Sequence, residues 1–290
     1  MALATVISTW GSAPRPRGSH MLVHADGRME GSVSGGCVEG DVLTLAAEVI
    51  ANGRAEVRRY GVADSSAWEV GLPCGGTIEV LVQPVAETGF PPALFGAIET
   101  AGEAGQAVTV TTDLASGTSI LGTEAGEGLF HNRYMPPRRL LIVGAVQIAQ
   151  VLAGIAGQMG ISATVIDPRA RFLTEQRFPG VTLDDRWPDE AIAGWRPDPA
   201  TAVVTLSHDP KIDDPALIAA LAAPTGYVAA LGSRRSHAAR RERLAAAGVG
   251  EADLDRIDAP AGIDINAIGA AEIALSIAAG MVRTLAAKPA

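Results

Sequence analysis

The second half of the chain alternates short apolar runs with helical patterns. Four of the runs lack polar alternation, which is typical of strands that are buried on both faces. These runs cover residues 140–143, 162–166, 202–206 and 227–231. Helical periodicity marks the segments at residues 147–159, 213–222, 234–247 and 269–286. Because buried strands separated by helices form parallel sheets, the pattern predicts an α/β fold with a C-terminal Rossmann-like parallel sheet domain at residues 136–290.

The first half mixes strands and helices without this alternation. Strands are predicted at residues 3–8, 21–23, 54–61, 76–83, 107–112 and 118–122. Helices are predicted at residues 38–51 and 92–103. Residues 134–138, which include two consecutive prolines, have the composition of a linker. We therefore predict an N-terminal α+β domain at residues 1–135.

Charge and cysteine content narrow the class of protein. The chain has 290 residues, a net charge of −9 and a pI of about 5.1. Nucleic-acid binding needs a basic face, so this acidic balance argues against a nucleic-acid-binding protein. Two cysteines are too few for a disulfide scaffold. No apolar run reaches the roughly 18 residues of a membrane span. We expect a cytoplasmic protein with reduced thiols and with neither a nucleic-acid nor a membrane partner.

The turn after the first strand of the Rossmann-like domain bears on cofactor use. A dinucleotide fingerprint reads G-x-G-x-x-G/A, and its second glycine lets the backbone approach the pyrophosphate. This chain has Gly144 and Ala149 at the outer positions but Val146 at the second. Asp167 stands where a ribose-binding acid would. An NAD(P)-dependent oxidoreductase is therefore the alternative function, and Val146 argues against NAD(P) binding.

Both cysteines lie in loops that contain a glycine pair, Gly35-Gly36-Cys37 and Cys74-Gly75-Gly76. The first loop enters a helix, where free backbone N–H groups favour anions and lower the pKa of a thiol. Two thiols from separate loops could bind a soft metal or a sulfur species. Zinc is not expected, because no further ligand completes a set of four. A core-packing role for both, in a regulatory or scaffolding protein, stays open.

Four further residues are candidates for a functional role, three of them arginines that could bind an anion. Arg15 and Arg17 lie in a loop between two strands and could clamp a phosphate or carboxylate, or form a solvated turn. His208 follows a strand end, where α/β ligand sites gather. It could act in acid–base chemistry or bind a partner, and a surface or helix-capping role stays equally open. Arg234 opens a helix behind Ser233, a good N-cap, which favours an anion at that helix start over a solvated face.

The chain contains six motifs, three in each half, that form a recognisable combination. The first half contains Thr9-Trp10-Gly11-Ser12-Ala13-Pro14-Arg15-Pro16, Gly31-Ser32-Val33-Ser34-Gly35-Gly36-Cys37-Val38-Glu39-Gly40 and Leu72-Pro73-Cys74-Gly75-Gly76-Thr77. The second half contains Ser207-His208-Asp209, Leu231-Gly232-Ser233-Arg234-Arg235 and Gly262-Ile263-Asp264-Ile265. Over nearly the whole chain they resemble the XdhC/CoxI family, accessory proteins of molybdenum hydroxylases such as xanthine dehydrogenase and carbon monoxide dehydrogenase.

The resemblance implies a chaperone without catalytic residues rather than a conventional enzyme. Family members bind molybdenum cofactor (molybdopterin) transiently, support its sulfuration with a cysteine desulfurase and insert it into the apo-form of a hydroxylase. The family's cofactor or metal contacts map onto Cys37 and Cys74. The resemblance and the loops together give an expected cofactor-binding set of Cys37, Cys74, Gly35, Gly36, Gly75, Gly76, Arg15, Arg17, His208 and Arg234.

One departure from the family concerns the turn after the first Rossmann strand. Family members usually carry Gly-Ala-Gly-His where this chain has Gly144-Ala145-Val146-Gln147, which weighs against a nucleotide or cofactor role for that turn.

The last helix is apolar at Ile273, Ile277 and Met281. That face could belong to the core or serve a homodimer.

Overall fold

The structure, a computed structural model, describes residues 1–61 and 75–286. It divides into two compact units, unit 1 at Met1–Pro136 and unit 2 at Pro137–Ala290. None of the helices in the described ranges combines the length and apolarity needed to cross a membrane.

The described part of unit 1 contains two antiparallel sheets and two helices. The larger sheet has the order β3-β2-β1-β5-β4 and consists of β1 (Ala2–Trp10), β2 (His20–Val23), β3 (Met29–Gly31), β4 (Glu56–Tyr60) and β5 (Thr77–Pro84). The smaller sheet has the order β7-β6-β8 and consists of β6 (Val108–Asp113), β7 (Ser119–Leu121) and β8 (Leu129–Tyr134). The helices are α1 (Glu39–Asn52) and α2 (Ala93–Glu103).

The core of unit 1 follows from the periodicities of α1 and β1. Val42, Leu45 and Val49 recur at helical spacing on α1 and are buried in one cluster with Ala4 and Val6 of β1. Because side chains alternate along a strand, the other face of β1 supplies different clusters. Residues from that face pack with α2 and the smaller sheet, namely Leu3 with Phe90, Leu94 and Val110, and Ile7 with Leu81 and Phe130.

Unit 2 is built on a six-stranded parallel sheet of order β11-β10-β9-β12-β13-β14. Its strands are β9 (Arg139–Val143), β10 (Ser162–Ile166), β11 (Thr182–Asp184), β12 (Thr201–Thr205), β13 (Tyr227–Ala230) and β14 (Ile257–Asp258). Its helices are α3 (Gln147–Gln158), α4 (Pro188–Trp195), α5 (Pro210–Ala222), α6 (Arg234–Ala246), α7 (Glu251–Leu254) and α8 (Ala270–Leu285). In chain order the strands run 3-2-1-4-5-6, so the winding direction reverses between β9 and β12.

Helices cover both faces of this sheet, as the unbroken apolar strands predict. Helices α3 and α8 pack on one face, and α4, α5 and α6 pack on the other. Ile277 and Met281 of α8 are fully buried in the first of these clusters. The apolar stripe of the last helix is therefore part of the core.

The predicted α/β fold with a C-terminal Rossmann-like sheet is confirmed. The elements that the sequence pattern did not predict are β3, β8, β11, β14, α4 and α7. Most are short, and β3 is exposed along its whole length, so no apolar alternation marks it. Tyr134, predicted to lie in the linker, is the last residue of β8 and pairs with Val108.

Candidate functional site

Glycines of both predicted glycine loops of unit 1 lie beside the loop that follows β1 and carries Arg15 and Arg17, called the arginine loop below. Trp10 at the end of β1 pairs with Thr77 at the start of β5, which brings Gly76 next to the arginine loop. A side chain at Gly76 would collide with the carbonyl oxygens of Trp10 and Ser12, so only glycine allows this approach. Further along the same loop, Pro14 lies beside Gly35, where a Cβ would stand 4.0 Å from the Pro14 Cβ. Cys74 lies outside the described residues.

The two arginines of this loop have different surroundings. Arg17 donates from Nε to the carbonyl oxygen of Ile7 at 3.0 Å, and its guanidinium carbon lies 4.7 Å from the ring centroid of Phe130. Arg15 is exposed and makes no side-chain hydrogen bond or ion pair with any residue of the described ranges. Arg17 thus anchors the loop to the sheet, and Arg15 keeps its guanidinium available.

Glu39, the first residue of α1, organises the loop that carries Cys37. Its carboxylate is buried and accepts hydrogen bonds from the Ser32 hydroxyl at 2.6 Å and from the backbone N–H groups of Ser34 and Gly36 at 2.9 and 2.8 Å. The Ser34 hydroxyl and the Val33 N–H also donate to it. Burial alone would raise the pKa of Glu39, but these hydrogen bonds lower it to about 2.

This arrangement corrects the expectation that the loop has free N–H groups for an external anion. The N–H groups of Gly35 and Val38 are also engaged, by the hydroxyls of Ser32 and Ser34. The loop therefore contains its own anion. The sequence analysis gave Glu39 no role, because it directly follows the N-cap residue Val38 and does not stand at the third helical position that marks a capping box.

Cys37 carries a free thiol that is partly buried against the core of unit 1. No group of three or more His, Cys, Asp or Glu side chains that could hold a metal occurs within residues 1–61 and 75–286. Cys37 is thus the single thiol ligand in the described part of unit 1. A second ligand from Cys74 stays a prediction.

In unit 2, the turn after β9 packs directly on the turn after β12. Gly144 has φ of +105°, and a Cβ there would lie 2.8 Å from the backbone nitrogen of Ser207. The buried Asp167 at the end of β10 accepts from the N–H of Ala145 at 2.8 Å and from Arg169 at 2.8 and 2.7 Å. Its carboxylate, predicted at a ribose-binding position, is engaged within the chain.

The predicted residues His208 and Arg234 line two adjoining cavities in unit 2. The smaller, of about 280 Å³, is lined by His208 and by Val146. The larger, of about 680 Å³, is lined by Arg234. Leu231 and Ile273 line both, at the carboxyl ends of β9, β12 and β13, beside the reversal point where α/β sheets bind ligands.

His208 is held in place by a carboxylate that the sequence analysis missed. It has φ of +62°, which is uncommon for a residue other than glycine. Asp213 of α5 accepts from the His208 N–H at 3.1 Å and from the Ser207 hydroxyl at 2.7 Å. Burial raises the pKa of Asp213, and the hydrogen bond from Ser207 opposes that effect. The buried Asp213 side chain thus supports the cavity wall.

Comparison with known proteins places these features in a family. The family model described as "XdhC and CoxI family" matches residues 1–61, and the one described as "XdhC Rossmann domain" matches residues 140–281. The molybdenum cofactor insertion chaperone PaoD of Escherichia coli (strain K12) is 32% identical over 96% of this chain and 81% of its own length. A probable xanthine dehydrogenase component of Bacillus subtilis (strain 168) is 26% identical over 97% of this chain and 92% of its own length.

A solved structure agrees over the same extent. The crystal structure of a xanthine dehydrogenase from Bacillus halodurans matches with a TM-score of 0.82 at 25% identity, covering 99% of this chain and 92% of that one. Unit 2 is thus a Rossmann domain in fold. The chain belongs to the XdhC and CoxI family, which confirms the resemblance found in its motifs.

Proposed function

We propose that this protein is a molybdenum cofactor insertion chaperone with no catalytic residue of its own. The observation that carries the proposal is the 32% identity to a chaperone of that name over 96% of this chain. The loops of unit 1 support it, because the family motifs around Trp10, Gly35 and Gly76 lie together there. Molybdopterin is the cargo, bound transiently.

The residues of these loops fit the chemistry of such a cargo. Gly36 and Gly75 have φ of +115° and +77°, and none of the described residues comes within 4 Å of a Cβ built at either position, so these residues leave the backbone there accessible to a ligand. The exposed guanidinium of Arg15 can form a bidentate pair with the phosphate of a pterin. The Cys37 thiol is a soft ligand for molybdenum or sulfur. By the family resemblance, Cys74 is proposed as a second contact.

The proposal extends to partners and location. We propose that the loaded chaperone works with a cysteine desulfurase for sulfuration and then meets the apo-form of a xanthine dehydrogenase-type hydroxylase. We place it in the cytoplasm, where thiols stay reduced. Self-association as a homodimer is also proposed, through a surface other than Ile277 and Met281 of α8, which are buried in the core, and sedimentation of the purified chain tests it.

Retention of cargo tests the central claim. The full chain is mixed with molybdopterin and passed through gel filtration, and the pterin retained by the protein is quantified by fluorescence. We expect Cys37→Ser and Arg15→Gln to retain about tenfold less than the wild type. Arg54→Gln removes an exposed charge elsewhere in unit 1 and should retain the wild-type amount. No retention by the wild type, or equal retention by all variants with unchanged thermal unfolding, would contradict the proposal.

An NAD(P)-dependent oxidoreductase remains the second candidate because of the strand order of unit 2. Two observations count against it. Val146 occupies the position where glycine admits a pyrophosphate, and the Asp167 carboxylate is bound by Ala145 and Arg169. A fluorescence titration with NADH decides between the chaperone and the oxidoreductase, since saturable binding at micromolar concentration would favour the oxidoreductase.

A further inference from the structure

Helix α8 presents one side to the core of unit 2 and a different stripe to its outer surface. Ala274, Ile277 and Met281 lie on the inward side and are buried in the core. The residues that face away from the core recur three or four positions apart, as helical periodicity requires. They are Glu272, Leu275, Ala279 and Arg283, which we call the outer stripe of α8.

The middle of α8 is apolar on its outward side as well as its inward side. Residues 273–282 contain one polar side chain, Ser276, which is buried and donates to the carbonyl oxygen of Ile263 at 2.5 Å. A helix that is apolar all round is typically buried all round. Leu275 is nevertheless 53% exposed, and Ile268, just before the helix, is 90% exposed. This side of α8 therefore fits a surface that a partner covers.

Helix α3 extends the uncharged surface. It packs on the same face of the sheet as α8 and, of the helices in the described ranges, it alone contains no charged residue. Helices α4, α5 and α6 on the other face all carry charged residues. Charged residues are depleted at the core of protein interfaces, and homodimer interfaces are more apolar than those of transient complexes. The α3–α8 face thus fits a permanent partner better than a client protein that must be released.

The two charged residues of the outer stripe identify that partner. Glu272 lies in the first turn of α8 and Arg283 in the last turn. One carboxylate oxygen of Glu272, Oε2, accepts from the Ile268 N–H at 2.8 Å and the Gly269 N–H at 3.4 Å, and the other oxygen has no hydrogen-bond partner among the described residues. Arg283 is exposed and forms no ion pair within residues 1–61 and 75–286. The two ends of the stripe therefore carry available charges of opposite sign.

A second copy of the chain satisfies both charges at once. When two α8 helices pack antiparallel about a two-fold axis at their midpoint, Glu272 of each copy lies beside Arg283 of the other. The same operation places Leu275 of one copy beside Ala279 of the other, so a large side chain meets a small one. A parallel arrangement would instead bring each charge against its own like.

We propose that the outer stripe of α8 joins two copies of this chain in an antiparallel contact with two-fold symmetry. The inference rests on the homodimer included in the proposed function, and it names the surface and the pairing that form it. It does not depend on the binding of cargo by the loops of unit 1. Because α3 and residues 273–282 carry no charge, neither brings a charged residue against its like near the axis.

Analytical ultracentrifugation of the full chain tests the surface. We expect the wild type to sediment as a dimer at micromolar concentration. Leu275→Arg adds a positive charge near the axis and should raise the dimer dissociation constant at least about a hundredfold, because the change enters the contact twice. Val57→Arg changes an apolar residue of unit 1 that is 41% exposed and should leave the dissociation constant unchanged. Thermal unfolding of each variant checks that it folds.

A charge exchange tests the antiparallel pairing. Glu272→Arg and Arg283→Glu each bring like charges together in the dimer, so each should weaken association about tenfold. The double variant restores opposite charges at both ends and should return to within about threefold of the wild type. Recovery of this kind separates pairing across the axis from the hydrogen bonds that Glu272 accepts within its own chain.

Three results would overturn the inference. A wild type that stays monomeric at millimolar concentration would contradict this surface and the homodimer together, but the cargo-retention experiment would still decide the chaperone function by itself. A dimer that folded Leu275→Arg leaves intact would show that the copies meet elsewhere. A double charge variant that associates as weakly as the single variants would exclude the antiparallel pairing.

Discussion

The carboxylate of Glu39 accepts a hydrogen bond of 2.8 Å from the backbone nitrogen of Gly36, the residue before Cys37. Three further donors from Ser32 and Ser34 converge on the same carboxylate. One residue at the start of α1 thus fixes the backbone on which the thiol is presented. Stability of this loop and retention of cargo are expected to be linked through Glu39.

Glu39→Gln tests that link. Removing the charge weakens several hydrogen bonds in a buried site, so the free energy of unfolding at pH 7 should fall by about 1–3 kcal/mol. The control Glu48→Gln changes an exposed residue of the same helix and should have little effect. Urea unfolding followed by circular dichroism provides the measurement.

The effect of Glu39 has a defined pH dependence. The folded-state pKa of about 2 lies below the ordinary value of 4.5, so the stabilisation is fully present above pH 4.5. It is lost as the pH falls from 4.5 toward 2, and the difference between wild type and Glu39→Gln should narrow over that range. A difference that stays constant down to pH 3 would contradict this assignment.

His20 should make unit 1 sensitive to mild acid. Its Nδ1 lies 2.9 Å from the Thr5 hydroxyl and its Nε2 lies 2.8 Å from the Tyr134 hydroxyl, and burial lowers its pKa from 6.5 to about 4. The unfolded chain therefore binds a proton that the folded chain does not, and stability falls as the pH drops from 6.5 to 4. We expect a loss of about 2 kcal/mol between pH 7 and pH 5 from this residue.

The measurement compares unfolding of the wild type and His20→Gln at the two pH values. The variant should be less stable at pH 7 but should lose less on acidification. An equal response of wild type and His20→Gln would show that another group titrates.

Two adjacent carboxylates of α5 should differ sharply in their contribution to stability. Asp213 is 2% exposed and holds the Ser207–His208 turn, whereas Asp214 pairs with Arg243 near the surface. Asp213→Ala should lower the free energy of unfolding by about 1–3 kcal/mol, since buried donors lose their acceptor. Asp214→Ala should cost less than about 1 kcal/mol. Comparable losses in urea unfolding would refute the supporting role of Asp213.

Gly144 and Gly154 provide a similar contrast in unit 2. Gly144→Ala introduces a side chain at φ of +105° and 2.8 Å from the Ser207 nitrogen, so it should destabilise by more than about 1 kcal/mol. Gly154→Ala lies within α3 with open space around it and should stabilise by up to about 1 kcal/mol. Thermal unfolding distinguishes the two, and a neutral Gly144→Ala would contradict the close approach of the two turns.

Much of the fold could be predicted because burial leaves a periodic trace in the sequence. The strands β9, β10, β12 and β13 are largely buried on both faces, so they lack the polar alternation of a half-exposed strand. Helix α1 was predictable because Val42, Leu45 and Val49 face one core. Edge strands such as β3 and β11 gave no such trace, since their pairing depends on a neighbour and not on their own composition.

The site was only partly predictable, for a related reason. The motif loops around Gly35, Cys37 and Gly76 were found as local patterns. The partners that decide their chemistry were not found, because hydrogen bonds depend on where chain segments meet. Pro14 and Gly35 lie in different loops of the chain and are neighbours only in the folded structure.

The sequence by itself determined the doubly covered sheet, the family motifs and the substitution of Val146 for glycine. Only the tertiary structure decided that Glu39 fills the Cys37 loop and that Asp167 is bound by Ala145, 22 residues away. It also showed that Arg17 is hydrogen-bonded to the carbonyl oxygen of Ile7 on β1, whereas the Arg15 side chain has no hydrogen-bond partner among the described residues. The reason is physical: burial leaves a periodic pattern along the chain, whereas the hydrogen-bond partners of a buried charge depend on the folded backbone, both where they are near in sequence, as for Glu39, and where they are distant, as for Ala145 and Asp167.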